Sequence, residues 1–284
     1  MKKLYTFILT VTFSFLMFAE VSVSDRATLV KFYNATDGVN WNKKWDLNSP
    51  VSSWYGVKLE GDKVVALNLS NNNLNGVFSF EIVNLTSLQE MILDRNKLSG
   101  AIPNELNKLK ELKVLDLGFN QLSGSIPASI CNLNNLTTIS LYMNRLTGEL
   151  PAKIGDLKNL EVLSLFNNEI VGQIPTSLYE ISKLKVLLLN SNKLSGELSP
   201  RIAEMKLLEN LSLFENTFIG HVPMELERLS QLKEMNISYN NFSGLISRKL
   251  AVLDILNMTM YNDKGTVALL GVAMEIQRPL VSEE

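Results

Sequence analysis

The chain of 284 residues has one cysteine, Cys131, and one histidine, His221. A lone cysteine closes no disulfide within the chain, so the fold must hold by packing alone. No Cys/His set stands at metal-ligand spacing, and no phosphate-cradling glycine loop or G-x-S-x-G element occurs. Cys131 sits between Ile130 and Leu133, an apolar setting in which a thiol is merely tolerated, and it is too far from His221 to read as a nucleophile beside its base. An excess of one charge is also missing. With 27 Lys and Arg against 29 Asp and Glu the net charge is -2, which argues against nucleic acid or an anionic membrane as partner. Long hydrophobic runs are absent as well: Leu4 to Phe18 is about 15 residues, against the roughly 20 that span a bilayer. That run follows Lys2 and Lys3 and precedes the small residues Ala19, Ser22 and Ser24. Residues 1–24 therefore read as an export signal cut between Ala19 and Asp25. Removing Lys2, Lys3 and Glu20 with it moves the charge from -2 to -3. No cysteine follows at a position suited to lipid attachment, so no membrane insertion is expected of the remainder.

What the chain has is period. Stepping by 24 residues from Asn72 gives Asn96, Asn120, Asn144, Asn168, Asn192, Asn216 and Asn240 without a miss. The same step from Gly76 runs through Gly100, Gly124, Gly148, Gly172, Gly196 and Gly220 to Gly244. Two series in register define a unit L-x-x-L-x-L-x-x-N-x-L-x-G-x-I-P-x-x-L-x-x-L-x-x, with a clean copy at Leu112 to Asn135. Eight copies fill residues 64–255 with no insertion, as stacking requires if each coil is to bury its leucines on the next. The alternating L-x-L predicts a strand, and strands one unit apart predict a parallel sheet. The asparagine stands where the chain leaves the strand; its amide can satisfy backbone groups of the turn, and eight of them should form a ladder. The glycine suits a bend with positive φ, and the Ile-Pro pair starts an extended return. Ser79, Ser199 and Ser247 replace the proline in three units, where the convex side should differ locally.

The L-x-G-x-I-P element in 24-residue units resembles the plant-type leucine-rich repeats of receptor-like kinases, receptor-like proteins and polygalacturonase inhibitors. This implies an α/β solenoid: a right-handed superhelix with a parallel concave sheet, an irregular or 3-10 convex side and a helical N-terminal cap. Residues 25–63 are similar to such a cap, with a short helix ending near Gly38, then Trp41, Trp45 and Ser52-Ser53-Trp54-Tyr55-Gly56-Val57. In the plant version cysteines flank the Trp-x-Gly-Val core; here Ser52 and Leu59 stand there. The stretch Tyr33 to Trp41 is closer to caps of secreted members from bacteria, algae and oomycetes. Leu29, Phe32, Tyr33 and the three tryptophans should plug the front of the solenoid. Residues 256–284 form the other cap and a polar tail. Leu256, Thr259 and Tyr261 continue the strand template until Lys264 replaces the asparagine, and Thr266 to Ala273 covers the last coil. The family resemblance implies recognition of proteins, peptides or glycans.

The positions around L-x-L and just before each asparagine should face outward from the concave sheet. Read there, Asp94, Arg95, Asp116, Phe119, Tyr142, Met143, Phe166, Asn190, Phe214 and Tyr239 are the candidate partner-contacting residues, with Asn167 and Glu215 beside them. Eight strands make a sheet roughly 35 to 40 Å wide. A row of aromatics across it could anchor a partner or stack on sugar rings; equally, an aromatic before the asparagine can simply pack along the sheet edge. Eight N-x-S/T sequons occur, and three of them (Asn68, Asn210, Asn236) fall on the concave sheet, which suggests a host that leaves them bare. The expectation is a secreted or extracytoplasmic, non-catalytic binding protein without cofactor or metal. Its partner is a protein or peptide, with glycan binding or inhibition of a secreted glycanase as the alternatives.

Overall fold

In the computed structural model the described residues are 21–254, 259–262 and 265–272. The export-signal run at residues 1–20, Leu256, Lys264 and the tail from residue 273 lie outside them.

The α/β solenoid follows from the leucine spacing. Each L-x-L contributes a three-residue strand whose middle residue points inward and whose flanking residues point out. The strands Glu90–Ile92, Val114–Asp116, Thr138–Ser140, Val162–Ser164, Val186–Leu188, Asn210–Ser212 and Glu234–Asn236 pair in parallel. Register is the 24-residue step itself: Leu115 faces Ile139 and Leu163 faces Leu187. Lys63–Asn68 leads this array, and Val57–Glu60 joins it antiparallel to complete nine strands. The template leucines are fully buried in one continuous core from the cap to Leu250.

We number the coils 1 to 8 by their ladder asparagines, Asn72 to Asn240. From coil 2 onward each asparagine links two coils. Asn168 Nδ2 donates to Leu141 O of the preceding coil at 3.0 Å and to its own Leu165 O at 3.0 Å; its Oδ1 accepts from Leu146 N at 3.0 Å. Asn120, Asn144, Asn192, Asn216 and Asn240 repeat the pattern. Asn72 has no coil before it and bonds both backbone groups of Lys43 in the cap instead.

The L-x-G segment, expected only to bend, forms short strands of its own. Asn75–Val77, Lys97–Ala101, Gln121–Ser125 and Arg145–Thr147 make one sheet, and Val171–Gly172, Lys193–Glu197 and Thr217–Ile219 another. Their glycines do have positive φ, 77° at Gly124 for example. Short 3-10 segments then form the convex wall, as at Asn104–Lys108 and Ala128–Asn132. Where serine replaces proline, its hydroxyl caps that turn: Ser79 accepts from Glu81 N, Ser199 from Arg201 N and Ser247 from Leu250 N. A side-chain cap thus stands in for the fixed φ of the missing ring.

The front cap begins earlier in the chain than residue 25. Ser22 caps the helix Val23–Ala35, its backbone N–H reaches Asp62 O at 2.8 Å, and Val21 is buried. Trp45 stacks on Trp54 at 4.7 Å and meets Trp41 edge-on at 4.9 Å. Each indole N–H is satisfied, by Thr36 O, Tyr55 O and Asp46 O. At the rear, Thr259–Tyr261 does not add a tenth strand to the concave sheet: it pairs antiparallel with Val267–Leu269. The reason is Asp254, which is buried and accepts from Ile237 N at 2.9 Å. In the coils before it the equivalent N–H bonds a backbone carbonyl, as Leu213 N does with Asn236 O. A carboxylate therefore ends the sheet. Gly271–Val272 pairs with Leu245–Ile246 and Leu270 is buried, so this stretch does lie on the last coil, while Val267 and Leu269 stay exposed.

Candidate functional site

The concave face consists of three outward columns, at the positions six, four and two before each ladder asparagine. The residue immediately before the asparagine behaves differently. Asn71, Arg95, Phe119, Met143, Asn167, Ser191, Glu215 and Tyr239 all have φ between 51° and 56°. This left-handed conformation is disfavoured for residues with a Cβ. It is held because each N–H reaches across to the next coil; Phe119 N meets Tyr142 O at 2.7 Å, and Met143 N meets Phe166 O at 2.8 Å. Of the sequence candidates, Arg95, Phe119, Met143 and Tyr239 thus project from a turn at the sheet edge and not from the strand. Asp94, Tyr142, Phe166, Asn190 and Phe214 stand at the position before that turn, and Asp116 lies in the strand.

The aromatics do not form one continuous row. Tyr142 and Phe166 stack at 4.8 Å with planes 8° apart. Two coils on, Phe214, Tyr239 and Tyr261 make an edge-to-face cluster at 5.3 and 5.6 Å. Asn190 interrupts the column between the two groups. All are half-buried except Phe119, which is 46% exposed and has the Arg95 guanidinium 5.8 Å from its ring centre. The Tyr142 ring lies in a slot that the template alone does not reveal: Gly118, whose absent Cβ would fall 2.3 Å from the ring.

Next to that stack are two carboxylates. Asp94 is buried, with Arg95 Nε 3.6 Å away. Asp116 accepts from Gly118 N at 3.0 Å. Burial pushes the Asp116 carboxyl above its ordinary value, and the charge of Asp94 pushes it further in the same direction. Burial likewise raises the Tyr142 phenol, with Asp116 and Asp94 adding to it.

Beyond Phe166 the sheet is hollowed into an open cavity of about 410 Å³. Phe166, Leu188 and Leu253 give it apolar walls, while Asn190, Asn210, Asn236 and Glu234 supply polar groups. Asn210 Nδ2 donates to Glu234 Oε2 at 2.6 Å. Two of the sequon asparagines, Asn210 and Asn236, therefore line this cavity, and Asn68 is exposed on the same sheet. Leu188, Ser212 and Leu253 carry nothing in sequence that distinguishes them from other template positions; sheet register sets Leu188 beside Ser212, and the bond from Met235 N to Leu253 O brings Leu253 to the last strand.

Among the described residues no group of three or more His, Cys, Asp or Glu side chains could hold a metal. Cys131 is buried on the convex wall, its thiol pushed up to about 11 chiefly by burial. His221 is on the L-x-G wall four coils further on, bridged to Ser243. No described helix is long and apolar enough to cross a membrane.

Residues 128–258 match the family described as leucine-rich repeat region, and residues 87–109 and 111–133 match Leucine Rich Repeat. Among curated proteins no relative matches significantly. Solved structures do. One is the ectodomain of the plant membrane receptor kinase GASSHO1/SCHENGEN3 from Arabidopsis thaliana, in complex with CASPARIAN STRIP INTEGRITY FACTOR 2. It is 41% identical over 62% of this chain and 21% of its own, with a TM-score of 0.61. PEPR1 in complex with AtPEP1 is 31% identical over 78% and 32%, with a TM-score of 0.73. The plant peptide hormone receptor RGFR1 with RGF2 is 31% identical over 73% and 32%, with a TM-score of 0.64. The chain spans about a fifth to a third of the length of these receptor chains. By its unit, its ladder, its sheet and these matches, the chain is a plant-type leucine-rich-repeat protein, built like the receptor ectodomains of that family.

Proposed function

We propose that the chain is an extracytoplasmic, non-catalytic binding protein that takes an extended peptide on its concave face. The observation that carries this is the Tyr142–Phe166 stack beside the cavity lined by Leu188, Asn190, Asn210 and Asn236. Rings supply anchoring area, and side-chain amides can bond a peptide backbone in both directions. One of the similar solved structures is a plant peptide hormone receptor, RGFR1, in complex with RGF2, which supports the same reading. A displayed library of random linear peptides, offered to the full chain, tests it. Peptides should bind, and Phe166→Ala should weaken them by roughly tenfold or more if Phe166 is an anchor. Binding unchanged by Phe166→Ala and by Asn190→Ala, with the fold intact, would sink the reading.

Export belongs to the same proposal and sets two conditions that one measurement checks. Because Ser22 caps the first helix and Val21 is buried, removal of the leader must leave both in place, so the cut falls before Val21. Because Asn210 and Asn236 line the cavity, they must be bare. The intact mass of the protein exported from its own host should equal the bare polypeptide starting at or before Val21. Added hexosamine at Asn210 or Asn236 would close the cavity and refute this use of it.

A further inference from the structure

The three outward columns of the concave sheet hold three positions in each of eight coils, and the charges among them are all negative: Glu90, Asp94, Asp116 and Glu234. No Lys, Arg or His stands in any of the three columns, although the whole chain carries 27 basic against 29 acidic residues. The segregation is local and does not follow from net charge. The cations in the position just before each strand are already engaged. Lys185 pairs with Glu161 at 2.7 Å, Lys113 donates to Gln89, and Lys233 pairs with Glu209. Arg95 faces Asp94 at 3.6 Å and lies near the Phe119 ring, so one cation answers two carboxylates. Among the described residues Asp116 has no ion-pair partner, and burial raises its carboxyl.

We propose that the peptide recognised on this face carries a basic residue, seated at Asp94 and Asp116 against the Tyr142 ring, and an apolar residue about three to four positions away, seated beside Phe166 and Leu188. The proposal rests on the peptide-docking reading above and names its ligand class. A guanidinium suits the first seat, since it pairs with carboxylates and stacks on an aromatic face at once. The interval comes from the coils. Asp116 is on coil 3, and Phe166 and Leu188 are on coils 5 and 6, so two to three strand spacings of ~4.8 Å separate the seats, roughly 10 to 14 Å. A fully extended chain covers this at ~3.3 to 3.6 Å per residue. Acidic peptides are excluded by the same field that draws basic ones.

The library experiment decides this as well, using random linear dodecapeptides and the immobilised full chain at physiological salt. The bound pool should be enriched in Arg or Lys with an apolar residue at the stated interval, and binding should weaken as ionic strength rises. The double variant Asp94→Asn and Asp116→Asn should lose roughly tenfold or more in affinity, matched by replacing the peptide's basic residue with Gln. Phe166→Ala should keep the preference for a basic residue and lose that for the apolar one. Peptides that bind without basic enrichment, or that bind the double variant equally, overturn this inference and leave peptide docking standing. A face to which no peptide binds overturns both.

Discussion

At the scale of single residues, two cases show how far context overrules preference. Phe119, Met143, Glu215 and Tyr239 adopt a left-handed backbone that costs such residues roughly 1 to 2 kcal/mol each. The hydrogen bond to the next coil imposes it, and nothing in the side chains announces it. Asp116 is the other case. Its carboxyl titrates above the ordinary value because burial penalises the ionised form. The folded state therefore binds this proton more readily than the unfolded chain. The resulting penalty is present at neutral pH and fades as pH falls through the raised folded value. Asp116→Asn should accordingly raise the melting temperature at pH 7, with the gain closing towards about pH 3, below the usual carboxylate range. Thermal melts of both proteins across this range check it. No difference at pH 7 would mean that the carboxylate is already compensated.

At the scale of elements, the ladder and the ring stack carry the sharpest expectations. Asn168→Ala strands Leu146 N, while the carbonyls of Leu141 and Leu165 each lose one of two donors and keep the bond from Asn144 and Asn192. For one buried unpaired group, denaturant titration should show a loss of about 1 to 3 kcal/mol. Gly118→Ala fills the slot of the Tyr142 ring. We expect about 1 to 3 kcal/mol of destabilisation and an altered near-ultraviolet circular dichroism as the Tyr142–Phe166 stack is displaced. The ladder was legible in the sequence because an amide at a fixed interval has one use in a stacked fold, and the glycines of the bend were legible for their backbone freedom. The concave candidates were legible as positions but not as an arrangement. The period fixes which column a residue occupies, yet whether neighbouring rings touch depends on the residue between them: Gly118 admits the Tyr142 ring, whereas Asn190 parts Phe166 from Phe214. Asp254 was missed because its carboxylate imitates a backbone carbonyl, a role that leaves no periodic trace.

Across the whole molecule, coils contact only their neighbours, so both ends must imitate a coil that is not there. At the front Lys43 offers its backbone to Asn72; at the rear Asp254 receives Ile237 N. Neither device depends on how many coils lie between. Duplicating residues 121–144 should consequently give a folded protein with one more coil and unchanged ends, whereas inserting a single residue at Asn144 should disrupt both coils that this asparagine joins. The ladder thus makes the concave face a ruler graduated in steps of ~4.8 Å. The lengthened protein moves its acidic seat one graduation away from its cavity, and the sequence spacing it selects in a bound peptide should grow by one or two residues.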